Sequence, residues 1–101
     1  MIASNNQPRF NLGLVVATLK VLTTLEESGK SASKYLKRHQ CGDWGDVCAE
    51  EFEANEEALR NGERLFSVYR IEKNRIFVIT EADRSLTGVL LSEGVLLSEE
   101  Y

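Results

Sequence analysis

The hydrophobic pattern of this chain changes its period once, at the Asn61-Gly62 pair. Before that pair, apolar residues recur at the three- and four-residue spacings of amphipathic helices, and after it they alternate or run together as in strands. A chain whose helices come first and whose strands follow in one block favours the α+β class, because consecutive strands pair directly with each other. We therefore expect an α+β fold with two or three helices packed on one face of a three- to four-stranded, mainly antiparallel sheet.

Three strands are predicted in the C-terminal block. Residues 64–71 alternate, residues 75–81 contain a run of apolar side chains, and residues 85–91 return after a tight turn. Because the run from Ile76 to Ile79 is apolar on both faces, it is the predicted central strand.

The N-terminal half begins with an ambiguous segment. Residues 12–17 are apolar and β-branched, which suits a buried or edge strand, and Thr18 is placed to cap a helix over residues 19–28. A single helix over residues 12–28 is the alternative, and periodicity does not separate the two. A second, short helix is predicted to start at Ser31 or Ser33 and to end at His39 or Gln40.

A third helix is predicted over residues 47–60, and it carries one polar residue on its apolar side. Spacing predicts an inward stripe of Cys48, Phe52, Asn55 and Leu59, and for the first helix a repeat of leucines at 19, 22 and 25. A buried amide must find hydrogen-bond partners, so we expect Asn55 to hold the glycine-rich loop just upstream. A contact with a ligand is the alternative.

Size and composition indicate one soluble domain. A chain of 101 residues with 43% hydrophobic residues closes a modest core without metal or disulfide. We expect the domain at residues 11–93, with flexible tails at 1–10 and 94–101. No apolar run approaches the ~20 residues of a bilayer span, and the first ten residues do not read as a signal peptide. The predicted location is cytoplasmic, without a membrane.

Cys41 and Cys48 match no zinc or redox motif, so no metal and no cofactor are predicted.

The net charge of −4 is unevenly distributed. A short basic segment precedes a long acidic one at residues 43–57, which argues against binding to a phosphate backbone, since that needs a connected excess of positive charge. A weak nucleic-acid interface is still the second alternative function, and its residues would be Lys30, Lys34, Lys37, Arg38, Arg64 and Arg84.

The C-terminal end contains a literal repeat. Residues 88–93 (GVLLSE) recur as residues 94–99, and the even shift presents the same faces to a neighbouring strand in either copy. One copy can pair in the sheet while a second chain takes up the other at a sheet edge. We expect self-association as a homodimer through this C-terminal strand more readily than through any other segment. No other protein partner is identified by the sequence.

Residues 39–46 (HQCGDWGD) contain the only histidine and the only tryptophan. We expect a structural loop in which glycines take positive φ, tryptophan fills the core, acids accept backbone N–H groups and His39 caps the preceding helix. The structural residues are Gly42, Trp44, Gly45 and Asp46. A metal site or a general base formed by His39 and Asp43 is the alternative.

A second polar cluster surrounds the turn at residues 80–87. Glu81, Asp83 and Arg84 are candidate catalytic residues for a small polar substrate. The structural alternative has Asp83 closing the turn and Arg84 paired with Glu81. The candidate binding residues are Asn55, Arg64, Thr80, Ser85 and Thr87.

The two polar segments belong to a wider pattern, which includes HxxGDWGD at 39–46, NxxAL at 55–59, GxRLxSxY at 62–69 and ITEADRSxTxVLL at 79–91. This pattern resembles a family of small bacterial proteins, often labelled plasmid-related, that travel on plasmids, phages and integrated elements. The resemblance covers nearly the whole chain and brings no activity with it. Two departures are the Leu19-Lys20 pair, where relatives have Pro-Gly, and the second copy of the repeat, beyond which relatives do not extend.

These observations favour a small, non-enzymatic accessory protein of mobile elements that acts by protein–protein contact. The first alternative is a metal- or ligand-dependent enzyme that uses His39, Asp43 and the Glu81-Asp83-Arg84 turn. No nucleophile elbow and no phosphate-binding glycine loop is present in the sequence.

Overall fold

The structure is a computed structural model and describes residues 7–92. Its elements in chain order are β1 (Leu14–Ala17), α1 (Leu19–Glu27), α2 (Ala32–Gln40), α3 (Ala49–Asn61), β2 (Leu65–Ile71), β3 (Asn74–Thr80) and β4 (Leu86–Leu91). The strands form one sheet in the order β1-β4-β3-β2. Both hairpin pairs are antiparallel, and β1 pairs with β4 in parallel. The predicted α+β class is confirmed, and β3 is an inner strand as expected.

The segment that was ambiguous in the sequence is a strand followed by a helix. The backbone N–H groups of Leu14 and Thr18 donate to Ser85 and Val89 at 3.0 and 3.2 Å, which joins β1 to β4. The Thr18 side chain then accepts a hydrogen bond from the N–H of Val21 at 3.2 Å and starts α1. The capping hydroxyl therefore fixes where strand becomes helix.

The main core lies between one face of the sheet and the first two helices. Its buried side chains are Val21, Leu25, Tyr35, Tyr69, Ile71, Ile76, Val78, Val89 and Leu91. A second, smaller cluster joins α3 to the loop before it, and its buried members are Trp44, Ala58 and Leu65. Full burial of one such side chain stabilises the fold by roughly 1.5–3 kcal/mol, so these two clusters hold the helices on the strands.

The leucine repeat predicted to face inward in α1 is wrong at two of its positions. Leu19 is 78% exposed and Leu22 43% exposed, whereas Val21 and Leu25 are buried. The helix is apolar on more than one side, and the sheet covers only the side that carries Val21 and Leu25. The outer leucines are left at the surface.

The stripe predicted for α3 is wrong at Cys48 and Phe52 and right at Asn55, which is buried, and at Leu59, which packs against the second cluster. Cys48 precedes the helix and is exposed, and Phe52 is 47% exposed. The buried residues are Asn55 and Ala58, one turn closer to the C-terminal end, where α3 approaches β2. Gly62 ends the helix with a φ of 70°, as its position after Asn61 predicted.

Residues just before β1 are part of the fold. The Arg9 N–H donates to the Gln40 carbonyl at 2.8 Å, and its guanidinium binds the Glu56 carboxylate at 3.0 and 3.2 Å. The Phe10 ring packs edge-on against His39 and stacks on Trp44. The tail predicted for residues 1–10 therefore cannot include Arg9 and Phe10; residues 1–6 lie outside the described residues.

The first copy of the C-terminal repeat forms part of β4. This strand is paired on both sides, with β1 and with β3, so it offers no free edge to a second chain. The first copy is therefore the one that pairs within the sheet, as expected for one of the two, and self-association through the other copy stays a prediction. The second copy, residues 94–99, lies outside the described residues. Within residues 7–92, no helix has the length and apolar character needed to cross a membrane.

Candidate functional site

The loop at residues 42–46 is attached to the outer edge of β2. The Trp44 carbonyl accepts the Val68 N–H at 3.0 Å, and the Asp46 N–H donates to the Val68 carbonyl at 2.6 Å. Gly45 lies between them with a φ of 79°, and a Cβ at this residue would stand 2.0 Å from the Val68 oxygen. Only glycine allows so close an approach.

The side chains of this loop are engaged with the body of the protein. Trp44 is 1% exposed, and its indole N–H donates to Glu56 at 3.0 Å. Bonds from Arg9 and then from Trp44 lower the pKa of the Glu56 carboxyl. The Asp43 carboxylate accepts from the Arg38 guanidinium at 2.7 Å and from the Gly45 N–H at 3.2 Å. These contacts hold the loop in place.

His39 is fully buried and does not cap α2, which is a correction of its expected role. Its two ring nitrogens lie 2.5 Å from the Ser67 hydroxyl and 2.9 Å from the Thr80 hydroxyl. The Thr80 oxygen lies 2.7 Å from that of Thr87, whose hydroxyl donates to the Leu12 carbonyl at 2.7 Å. The histidine of α2 therefore belongs to a buried polar network that includes one hydroxyl from each of β2, β3 and β4.

The direction of this network determines the histidine tautomer. Because Thr87 donates to Leu12, it accepts from Thr80, and Thr80 in turn accepts from His39 Nε2–H. Nδ1 is left to accept from Ser67. Burial, and then the charge of Arg84, lower the pKa of His39 to about 4, so the ring is neutral at pH 7. A fully buried neutral ring without access to solvent is not available to act as a general base on a substrate.

The Asn55 side chain bonds to the backbone of β2, whereas the sequence predicted that it would bond to the glycine-rich loop upstream. Its Oδ1 accepts the Phe66 N–H at 3.0 Å, and its Nδ2 donates to the Phe66 carbonyl at 2.7 Å. The amide thus mimics a neighbouring strand residue on the outer edge of β2, directly beside the contacts that the loop makes with Val68. Both ends of the buried amide are thus engaged by the backbone of Phe66.

The predicted pair between Arg84 and Glu81 carboxylate is not formed. The Arg84 guanidinium donates to four backbone carbonyls, those of Ala58, Glu63, Glu81 and Ala82. Two of these carbonyls, those of Ala58 and Glu63, lie in the last turn of α3 and just beyond its cap, Gly62. Arg84 therefore ties the β3–β4 turn to the C-terminal end of α3.

The other residues of this turn have separate partners. The Glu81 carboxylate pairs with Arg64 at 3.3 Å, and both side chains are exposed. The Asp83 carboxylate accepts the Ser85 N–H at 3.0 Å and the Ser85 hydroxyl at 2.6 Å, and these bonds lower the pKa of Asp83. Asp83 thus closes the turn locally, as expected in the structural alternative.

The candidate residues do not converge on one cleft. The structure brings His39, Thr80 and Thr87 together in the buried network, and it directs Asp43, Asn55 and Arg84 to other partners. Among the residues described, no group of His, Cys, Asp and Glu side chains could hold a metal ion. A shallow depression of about 510 Å³ on the outer side of α3 is lined by Phe52, Glu53, Glu56, Glu57 and Arg60, and it contains none of the candidate catalytic residues.

A different surface, which the sequence reasoning missed, lies at the β1 edge of the sheet. Five large apolar side chains are exposed on β1 and on the first turn of α1, which directly follows it, and we call them together the β1 surface. They are Leu14, Val15, Val16, Leu19 and Leu22. Residues 10–19 carry no charge, and an edge strand without charge or proline is a sequence signal that could have pointed to this surface.

The two edges of the sheet differ in whether their outward backbone groups have partners. The outer edge of β2 is occupied by Asn55 and by the loop at residues 42–46. On β1, the N–H groups of Leu14 and Thr18 point to β4, so by alternation those of Val15 and Ala17 point away from it. No strand of the described sheet lies beyond β1. Within residues 7–92, other segments cover the outer edge of β2 and none covers the outer edge of β1.

No family model, no curated protein and no solved structure matches this chain.

Proposed function

We propose that this protein is non-enzymatic and acts by protein–protein contact through the β1 surface. The observation that carries the proposal is the concentration of exposed apolar side chains on an open strand edge. Leu14 in β1 is 66% exposed, and Leu19, the first residue of α1 two positions after the end of that strand, is 78% exposed. Exposed apolar patches of several hundred Å² are typical of interaction sites, and open strand edges are typical sites of strand addition.

The arrangement of the polar residues supports the same proposal. The side chains that suggested an enzyme, His39 above all, are engaged in bonds that maintain the fold. An accessory role on a mobile element, as the resemblance to the plasmid-related family implies, fits a binding protein of this size, and it stays a prediction.

Site-specific photo-cross-linking in growing bacterial cells tests this function. A photoreactive amino acid in place of Leu19 lies on the β1 surface, and the same group in place of Glu53 lies on the exposed side of α3. We expect a protein adduct of defined mass from the Leu19 position and none from the Glu53 position. Absence of any adduct at Leu19, with the protein folded, would contradict the proposal.

A further inference from the structure

We propose that the occupant of the β1 surface is a second copy of this chain, paired β1 to β1 in antiparallel orientation across a two-fold axis. This inference rests on the proposed function and names its partner. Two strands related by a two-fold axis are antiparallel, so the open edge is complementary to itself if the register lets the outward backbone groups meet.

The length and register of β1 define one such pairing. The outward groups of this strand belong to Val15 and Ala17. Val15 exchanges both of its backbone hydrogen bonds with Ala17 of the partner subunit, and Ala17 does so with the partner's Val15. Val16 then lies on the two-fold axis, opposite its own copy, in the closer of the two kinds of antiparallel pair. Gly13 cannot extend the pairing because its φ of 67° takes it out of the strand.

The side chains near this axis are compatible with a close approach of two copies. The two faces of β1 expose apolar side chains, Leu14 and Val16 on one and Val15 on the other, and α1, which begins two residues after β1 ends, exposes Leu19 and Leu22. Because residues 10–19 carry no charge, no like charges meet across the axis along β1. The charges and prolines that natural proteins place on edge strands to prevent pairing are missing here.

The surface area that each occupant could bury favours a second copy over a lone peptide. A strand added to β1 could bond to only two outward residues, Val15 and Ala17, which is few for a peptide held mainly by its backbone. A second copy also brings its own leucines from α1. The five side chains of the β1 surface expose on the order of 500 Å² per chain, so a symmetric pair that covered all of them would bury roughly 1,000 Å² at most, near the lower limit for a specific interface.

Charge substitutions at the two-fold position test this pairing in the whole chain. Val16→Glu and Val16→Lys each place two like charges opposite one another, so we expect each variant alone to sediment as a single chain, with the dimer Kd raised at least tenfold. An equimolar mixture places opposite charges across the axis and restores the two-chain species. Phe52→Glu, at a similarly exposed apolar residue on α3, is the matched control and leaves the dimer intact.

Leu19→Glu and Leu19→Lys provide a second set, since a side chain that is 78% exposed is not needed for folding. Both are expected to weaken the dimer, and circular dichroism confirms the fold of every variant.

A wild-type chain that stays monomeric at all concentrations overturns the self-pairing, and an adduct of another mass at Leu19 would then leave the proposed function standing. A dimer that tolerates all four substitutions, or a Val16 mixture that stays monomeric, overturns the β1 register.

Discussion

At the scale of single residues, His39 shows most clearly how the fold changes the protonation of a side chain. Its imidazole is neutral because the fold removes it from water and because Arg84 lies near enough to oppose a second positive charge. Each of its nitrogens has one hydroxyl partner, and among the described residues no buried side-chain nitrogen or oxygen lacks a partner. A proton added to Nδ1 would face the hydroxyl that now donates to it, so protonation breaks the order of the network.

Stability is therefore expected to depend on pH through His39. The pKa of His39 is about 4 in the folded protein, below its ordinary value of 6.5, so the unfolded chain binds the extra proton first. The stabilisation is complete above pH 6.5 and is lost as the pH falls towards 4, with a total of about 3 kcal/mol. Urea unfolding at pH 7, 6 and 5 measures this slope.

The control for the pH dependence is His39→Gln, whose absolute stability is lower but whose slope between pH 7 and 5 should be absent. A slope that is the same in both proteins would show that other groups cause it. The lowered pKa values of Glu56 and Asp83 belong to carboxyls and act at lower pH, below this window.

Asn55 gives a second prediction for a single side chain. Asn55→Ala leaves the N–H and the carbonyl of Phe66 without their partner on the edge of β2, so we expect the free energy of unfolding to fall by about 2–4 kcal/mol. Glu53→Ala, on the exposed side of the same helix, should change it by less than about 0.5 kcal/mol. Denaturant titrations of both variants measure the difference; an equal effect would mean that the amide bonds contribute little.

At the scale of elements, the central feature is the way in which non-strand segments close the outer edge of β2. The loop at residues 42–46 supplies a carbonyl and an N–H to Val68, and α3 supplies the Asn55 amide to Phe66. Alternate residues of β2 thus find partners on the side where no strand follows. Arg84 then fixes the end of α3 through its carbonyls, so that helix, loop and turn hold one another.

Two glycines with similar backbone angles test the closeness of this contact. Gly45→Ala places a methyl group into the Val68 carbonyl in addition to straining a φ of 79°, and we expect it to lower the free energy of unfolding by more than 3 kcal/mol. Gly62→Ala has a φ of 70° and open space around the new methyl group, so its cost should be only about 1 kcal/mol. Similar losses of stability in the two variants would show that backbone angle alone explains them.

For the whole molecule, the sequence was informative where the signal is local. The alternation after Asn61-Gly62 predicted the sheet, and Thr18 indicated where a helix could begin, although residues 12–17 stayed open between strand and helix in the sequence. It was not informative where partners are distant in sequence. His39 is buried by Ser67 and Thr80, and no spacing around the histidine indicates those contacts.

The same limit explains the errors in the helices. The leucines of α1 repeat at helical spacing, but Val21 is on the side that the sheet covers, and only the position of β4 decides which side that is. The candidate sites were wrong for a related reason. The sequence does not distinguish a polar residue that binds a ligand from one that bonds to the backbone, and Asn55 and Arg84 bond to the backbone.

The parallel pair of β1 with β4 has a consequence for how this protein folds. Residues 14–17 find their partners only at residues 86–89, so the sheet reaches its final order late, after those residues have left the ribosome. Pairings so far apart in sequence raise the contact order and slow the folding of a small domain. Before β4 has formed, residues 14–17 have no strand partner on either edge and carry no charge. A nascent chain in this state would have to be kept from premature association.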